Sequence, residues 1–141
     1  MKVKVVYTSH CKDAKILAED IARYAKTYAQ PINNFNFYEE IDLLVIGFDD
    51  YFCLKDKELE EFITKLKRQY IKNVALFNMF CFSNKKMEKA IELCQKNDLP
   101  LMRETYSSKR KLRRQNRLTI DTIEGGRLYI LDMITICRNY Y

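Results

Sequence analysis

The sequence has little glycine or proline, with 3 and 2 residues respectively among 141, and it has no tryptophan. Such a small share excludes collagen-like, linker-rich and disordered chains. No run of 18 apolar residues is present, so we expect no membrane-spanning helix. Residues 1–7 are too short and too alternating for a signal peptide, and five cysteines without a C-x-x-C pair are typical of reduced thiols. These absences predict a cytoplasmic protein.

The net charge of +6 arises from one part of the chain. Residues 107–118 carry six basic side chains: Lys109, Arg110, Lys111, Arg113, Arg114 and Arg117. Without those six, 19 basic residues balance 19 acidic ones. The sequence therefore describes a neutral domain over residues 1–141 with one basic segment, which is either a solvated surface or a docking surface. We favour an acidic protein partner over nucleic acid, since Tyr106 is the one aromatic residue nearby.

Hydrophobic patterning alternates strands with helices along the chain. Buried strands are predicted at Val3 to Val6 and at residues 42–47 and 74–77, with weaker strands at 32–38 and from Leu99. Helical apolar spacing is found at Ala14 to Ala25, Leu59 to Leu66 and Met87 to Cys94, and in Leu128, Leu131, Ile134 and Cys137 after Gly125-Gly126. Asp13, Asp56, and Ser83 or Asn84 are the expected caps. This repeated βα pattern predicts a mainly parallel sheet with helices on both faces.

Three loops at the carboxyl ends of the strands are the expected binding region, because open α/β sheets bind ligands there. Residues 8–13, 48–55 and 78–82 hold the one histidine, three cysteines and several aromatic residues. Aromatic side chains such as Phe48, Tyr51 and Phe52 indicate either a flat ligand, a protein partner, or a cover for the sheet ends. The first loop enters a helix N-terminus, which favours phosphate.

The loop cysteines allow two kinds of chemistry. Cys11 precedes a predicted helix start and neighbours Lys12, and both features lower the pKa of a thiol. A reactive thiol is one interpretation, and a small residue that only fills space is the other. Cys11, Cys53, Cys81 and His10 could also converge as a zinc site if the three loops meet.

The sequence resembles the flavodoxin family from Lys2 to about Leu101. Residues 9–14, Ser-His-Cys-Lys-Asp-Ala, stand where flavodoxins have a Ser/Thr-x-Thr-Gly-x-Thr phosphate loop. Residues 42–47 with Tyr51-Phe52, and residues 73–77, resemble the third and fourth strands with their flavin-flanking loops. The resemblance implies a flavodoxin-like three-layer α/β/α sandwich whose five parallel strands have the order 2-1-3-4-5.

The phosphate loop departs from that family pattern. Cys11, Lys12 and Ala14 stand where the family has Thr, Gly and Thr, so hydroxyl donors and a flexible backbone position are lost. Residues 78–82 have no glycine, although the family usually has one there. Flavodoxins are also typically acidic, whereas this chain is basic.

FMN is the cofactor that the resemblance implies. Thr8 to Asp13 would hold the phosphate, Tyr51 and Phe52 would cover the ring, and residues 78–81 would line its pyrimidine side. The complete set of implied FMN-binding residues is Thr8, Ser9, His10, Cys11, Lys12, Asp13, Asp49, Asp50, Tyr51, Phe52, Asn78, Met79, Phe80 and Cys81.

Electron transfer is the function that the resemblance favours. The protein would carry electrons through FMN to or from a partner oxidoreductase, and it would need no acid–base residue of its own. A second interpretation is a flavodoxin-like module that lacks FMN and acts as an accessory or interaction subunit, which the altered phosphate loop favours. A third is a small-substrate flavin reductase, for which the loops are short.

Overall fold

The structure is a computed structural model that describes residues 1–50, 56–110 and 118–140, the last without its Tyr140 side chain. The strands are β1 (Val3–Tyr7), β2 (Ala29–Pro31), β3 (Leu43–Asp50), β4 (Val74–Phe80) and β5 (Tyr106–Lys109). The helices are α1 (Lys12–Tyr24), α2 (Lys57–Lys65), α3 (Lys85–Lys96) and α4 (Ile120–Tyr140). Short 3-10 turns lie at Ile32–Asn34 and Arg68–Tyr70.

The five strands form one sheet of order β2-β1-β3-β4-β5, and every neighbouring pair is parallel. This confirms the predicted sheet and its order. The order in which successive strands are added to the sheet reverses between β1 and β3, which is the topological switch point. These two strands pair from Val3 with Leu43 to Tyr7 with Gly47. The carboxyl ends of β1 and β3 therefore lie side by side, next to the start of α1.

Apolar side chains form a separate core on each face of the sheet. On one face, Leu17 and Ile21 of α1 pack with Ile130 and Met133 of α4. On the other face, Leu59 and Ile63 of α2 pack in the same cluster as residues of α3. The predicted three-layer α/β/α sandwich is therefore confirmed.

Both edge strands lie elsewhere than predicted. β2 covers Ala29–Pro31 and not 32–38, because Ile32 already begins a 3-10 turn. β5 covers Tyr106–Lys109, while Leu101 contributes only an isolated bridge to Val74. Edge strands have one neighbouring strand and little burial, so their sequences carry weak periodicity. As a result, β5 is built from the first residues of the basic segment.

Helix α4 includes Gly125 and Gly126, although the sequence predicted a helix only after them. A Cβ at Gly126 would lie 3.0 Å from Leu17 Cδ1, so the missing side chain lets α4 approach α1 closely. The buried face also differs from the prediction. Leu128 and Leu131 are exposed, and Tyr129, Ile130, Met133 and Cys137 are buried instead. Only the Cys137 position of the predicted apolar face is buried.

None of the helices within the described ranges is both long enough and apolar enough to cross a membrane. The longest of them, α4, has 21 residues and carries charged side chains such as Asp121 and Arg127. The assignment of residues 1–141 to a single domain stays a prediction.

Candidate functional site

Strands β3 and β4 extend three residues beyond their predicted ends. Phe48, Asp49 and Asp50 pair with Asn78, Met79 and Phe80 as regular parallel strand partners. Residues predicted to lie on loop tips are therefore strand residues. Phe48 and Met79 are core residues in the two apolar clusters. Of the interpretations left open for the loop aromatics, a ligand-facing position therefore does not apply to Phe48. The polar residues of these extensions, Asp49, Asp50 and Asn78, are consequently buried.

The loop between β1 and α1 is short and tightly bonded. The Thr8 N–H donates to the Gly47 carbonyl of β3 at 3.1 Å, and the Cys11 N–H donates to the Thr8 carbonyl at 3.1 Å. Cys11 is the N-cap of α1, where Asp13 was predicted. Asp13 lies in the first helical turn instead and is buried, while Ser9, His10 and Lys12 are exposed.

Carboxylates surround this loop. We call the set formed by Asp13, Asp49, Asp50, Asp56 and Glu58 the carboxylate cluster. All of its members except Glu58 are buried. Among the described residues, two cations contact it: Lys86 of α3 and Arg110, whose Nη1 lies 3.2 Å from Asp13 Oδ2. Five carboxylates thus meet two cations in the described part of the site, which carries excess negative charge where the sequence predicted a phosphate.

Glu58 of α2 closes the loop from outside. Its Oε1 accepts hydrogen bonds from the Ser9 backbone N–H at 3.1 Å and from Ser9 Oγ at 2.7 Å. Its Oε2 lies 3.2 Å from His10 Nδ1. Partial burial opposes ionisation, but the bonds from Ser9 and His10 outweigh it and hold the pKa of Glu58 below its ordinary value. Glu58 is therefore anionic at neutral pH.

Asp49 at the end of β3 faces the start of α1. The backbone N–H groups of Ala14 and Asp13 lie near its carboxylate and favour its ionised form. Burial, reinforced by the charge of Asp13, nevertheless raises the pKa of Asp49 to about 7. Its Oδ1 has no hydrogen-bond partner. Part of the Asp49 population is consequently protonated at neutral pH.

Lys86 connects the carboxyl end of β3 with the residue that precedes α2. Its ammonium donates to the Asp49 carbonyl at 2.7 Å and lies 3.7 Å from Asp56 Oδ2. The Lys86 backbone N–H donates to Asp50 Oδ2 at 2.9 Å. Because Lys86 is itself buried, this ammonium is bound into the fold and compensates only part of the cluster's charge.

Two backbone donors of the α1 loop are already used within the protein. The Ser9 N–H donates to Glu58, and the Cys11 N–H donates to the Thr8 carbonyl. A phosphate at this helix N-terminus would have to displace Glu58 from Ser9, and it would lie near the carboxylates of Asp49 and Glu58. The described residues therefore do not fit the phosphate of FMN.

Cys11 does not have the electrostatics of a reactive thiol. Its Sγ accepts a hydrogen bond from the Asp49 backbone N–H at 3.4 Å. Burial, with the negative charge of Asp49 next, raises the pKa of Cys11 to about 12. This corrects the expectation that the helix N-terminus and Lys12 lower it. The N-terminus of a helix carries only a fraction of a positive unit charge, whereas an ionised carboxylate carries a full negative charge.

The end of β4 is joined to α3 and β5 by amide side chains. Asn78 Nδ2 donates to Asn84 Oδ1 at 2.7 Å, and Asn84 Nδ2 donates to Ser107 Oγ at 2.9 Å. Phe80 is half-buried, and Cys81 is buried with its Sγ 3.9 Å from the Arg110 carbonyl. Asn78 is thus a structural connector between three elements, in the region where the resemblance placed a ring-binding residue.

The predicted zinc residues are brought together only in part. Donor atoms of His10, Cys11 and Asp56 lie within 4.8 Å of one another. Cys81 is not in that group, and Cys53 lies outside the described residues. Asp56 joins His10 and Cys11 in this group because it caps α2 directly beside the α1 loop.

Several predicted residues lie outside the described ranges: Tyr51, Phe52, Lys111, Arg113, Arg114 and Arg117. The described members of the basic segment are Lys109, which is exposed at the end of β5, and Arg110, which pairs with Asp13. The proposed roles of the residues outside the described ranges stay predictions.

Sequence reasoning missed three residues of this site: Asp56, Glu58 and Lys86. Asp56 was expected only as a helix cap, which is confirmed because its Oδ1 accepts from the Leu59 N–H at 3.1 Å. Acidic residues at helix starts and lysines on helices are common, so their types carried no signal. Their meeting at one sheet edge depends on the order of the strands.

The chain is similar to known proteins in structure and not in sequence. No protein-family model matches the sequence, and no curated protein is similar to it in sequence. Two similar solved structures are flavodoxins. One comes from the domain Archaea, with a TM-score of 0.74 and 15% identity over 99% of this chain and 100% of that one. The other is from Streptococcus pneumoniae TIGR4, with a TM-score of 0.75 and 11% identity over 96% and 99%.

A larger protein contains a similar part. Rubredoxin oxygen:oxidoreductase from Desulfovibrio gigas gives a TM-score of 0.73 and 12% identity over 97% of this chain and 36% of that one. At identities this low, the likeness concerns the fold. The chain therefore has the flavodoxin-like fold, as its sequence predicted.

Proposed function

We propose that this chain is a flavodoxin-like protein that does not hold FMN through the α1 loop and that acts as an accessory or interaction subunit for a redox partner. The observation that carries the proposal is the occupation of the loop's donors. Glu58 accepts from the backbone N–H and from the hydroxyl of Ser9, and the Asp49 carboxylate lies near the N–H groups at the start of α1. In this protein, carboxylates of its own chain take the part that a bound phosphate plays at a helix N-terminus.

Electrostatics support the same conclusion. The phosphate of FMN is an anion, and the loop is lined by a carboxylate cluster with Glu58 ionised at neutral pH. A phosphate entering this region would lose hydration, displace Glu58 from Ser9 and approach several like charges. Lys86 is buried and donates to the Asp49 carbonyl, so its ammonium would have to break that hydrogen bond to contact a phosphate.

The basic segment is the proposed docking surface for an acidic partner. Its support is the charge distribution, since these residues account for the whole net charge of the chain. Lys109 is exposed at the end of β5, on the side of the sheet where the carboxyl ends of the strands lie. Arg110 belongs to the fold through Asp13, so docking is assigned to Lys109, Lys111, Arg113, Arg114 and Arg117.

The second candidate is an FMN-binding electron carrier. The specific observation in its favour is the likeness to flavodoxins over nearly the full length of both chains. Both candidates are compatible with a reducing compartment such as the cytoplasm, since the cysteines within the described residues are free thiols.

An FMN titration separates the two candidates. The protein is purified without denaturant, its visible spectrum is recorded, and FMN fluorescence is measured as protein is added. We expect colourless protein and no quenching up to high micromolar concentrations. A yellow protein, or stoichiometric quenching, would overturn the proposal and establish the electron carrier.

A matched variant tests the reason for the expected failure. Glu58→Gln keeps the size of the side chain while it removes the charge, and its side chain is partly exposed, so the fold should tolerate it. If the charge of Glu58 excludes the phosphate, the variant should bind FMN more tightly than the parent protein. FMN binding that is as weak in the variant as in the parent would show that the charge of Glu58 is not the reason for the failure.

A further inference from the structure

We propose that His10, Cys11 and Asp56 form a binding site for a zinc-class divalent cation at the start of α1. Donor atoms of the three side chains lie within 4.8 Å of one another. Imidazole nitrogen, thiolate sulfur and carboxylate oxygen are the ligands that Zn²⁺ takes, and three protein ligands with one open position make a tetrahedral site. The site goes beyond the proposed accessory function and does not require it.

The carboxylate of Asp56 provides an independent indication of a ligand. Its Oδ1 caps α2 through the Leu59 N–H, but its Oδ2 has no hydrogen-bond partner. The Asp56 side chain is only 2% exposed, and Oδ2 lies 3.5 Å from His10 Nε2. The Lys86 ammonium, 3.7 Å from this oxygen, compensates its charge without a hydrogen bond, so Asp56 Oδ2 is free to take a closer cation as its partner.

Each of the three ligands has a partner that orients it. Glu58 Oε2 lies 3.2 Å from His10 Nδ1, so a proton on Nδ1 leaves Nε2 free to bind the ion. The Asp49 N–H donates to Cys11 Sγ at 3.4 Å, which stabilises a thiolate. The Leu59 N–H fixes the Asp56 carboxylate. Such outer partners are characteristic of built metal sites.

The surrounding charge balance also favours a cation. Asp49 and Glu58 add negative charge next to the three ligands, and Lys86 is the lysine whose ion pair with Asp56 the described residues show. The Lys86 ammonium lies 3.7 Å from Asp56 Oδ2 and opposes an ion there. Binding therefore requires Asp56 to exchange that contact for the metal, which limits the affinity but leaves the net local charge more nearly neutral.

Proton balance gives the proposal a quantitative signature. A thiol that binds no metal is mostly protonated at pH 7, because the ordinary pKa of cysteine lies well above that value. The ion binds the thiolate, and the thiol proton leaves to solvent. We expect about one proton released from Cys11 for each ion bound.

Cobalt is the probe that reports each ligand. The full-length protein, treated with chelator and then freed of it, is titrated with Co²⁺ under anaerobic conditions. We expect one ion per chain, a sulfur-to-cobalt charge-transfer band in the near ultraviolet, and the visible bands of tetrahedral cobalt, all removed by one equivalent of Zn²⁺. Absence of the charge-transfer band overturns the proposal.

Three variants locate the site. Cys11→Ser should remove the charge-transfer band, and His10→Ala should weaken Co²⁺ binding at least about tenfold. Cys81→Ser is the matched control, because Cys81 is a buried thiol at the same sheet edge outside the group, and it should keep both the band and the affinity. If Cys81→Ser abolishes the band while Cys11→Ser keeps it, the site is elsewhere.

Folding of each variant is checked by circular dichroism. His10 is half exposed, so His10→Ala should fold even if Cys11→Ser does not. An unchanged Co²⁺ affinity in folded His10→Ala contradicts the proposal. These readouts do not use FMN, so their failure is distinguishable from failure of the proposed accessory function.

Discussion

The ring of Phe77 in β4 fills the space that a side chain at Gly47 in β3 would occupy. The two residues are register partners, and Phe77 is fully buried. A Cβ built on Gly47 would overlap the Phe77 ring. Gly47 does not have a positive φ, so its role is close approach and not unusual backbone geometry. The centre of the sheet, next to the candidate site, thus depends on one missing side chain.

Gly47→Ala should destabilise the protein by about 1 to 3 kcal/mol, because the added methyl group must displace a buried ring. Urea unfolding measures the loss. Phe77→Leu on its own should also destabilise, since it leaves space in the core. The double variant should lose at least about 1 kcal/mol less than the sum of the single losses. Additive losses would show that the two side chains do not compete for the same space.

The stability of the fold should fall with rising pH because of Asp49. Its carboxyl has an ordinary pKa of 3.8, which the unfolded chain retains, and burial with the Asp13 charge raises it to about 7 in the fold. Between these values the folded state holds a proton that the unfolded state has lost, so the stabilisation is complete below about pH 4 and disappears as pH rises through 7. The full effect is at most roughly 4 kcal/mol.

Asp49→Asn removes this titration while it keeps an oxygen that can accept from the start of α1. We expect the variant to be more stable than the parent at pH 8 and to approach it towards pH 5, in urea unfolding with chelator present. Parallel pH profiles for the two proteins would contradict the raised pKa of Asp49.

Cys11 should resist alkylation in the folded protein. Its pKa near 12, against an ordinary 9.0, lowers the thiolate fraction at pH 8 roughly a thousandfold, and burial restricts access. Iodoacetamide labelling followed by peptide mass spectrometry should find Cys11 unmodified in native, metal-free protein and modified in guanidinium. Fast labelling of native Cys11 would instead restore the interpretation as a reactive thiol.

The basic segment should determine how the protein binds polyanions. Changing Lys111, Arg113, Arg114 and Arg117 to Gln should weaken binding of a labelled oligoglutamate peptide roughly tenfold at low salt and flatten its salt dependence. Arg110 is left unchanged because it pairs with Asp13. The matched control changes Lys15, Lys26, Lys89 and Lys96 to Gln, which removes the same charge from helices and their ends. Equal losses in the two variants would assign the binding to net charge alone.

Much of the fold was determined by the sequence itself. The apolar runs of β1, β3 and β4 and the spacing in α1, α2 and α3 have clear periodicity because these elements are buried on one or both faces. The cap at Asp56 was also readable, since a carboxylate before a helix accepts an N–H two or three residues on. The alternation of these elements was sufficient to predict a parallel three-layer sandwich.

Only the tertiary structure decided the edges and the site. Strands β2 and β5 form through pairing with one neighbour, which local periodicity does not record. The buried face of α4 depends on the close approach that Gly126 permits against Leu17. Most importantly, Asp49, Glu58 and Cys11 are distant in sequence, and only the strand order places those carboxylates at the α1 loop. Electrostatic interactions of this kind have no local sequence signal, because they depend on which strand and helix ends the fold brings together.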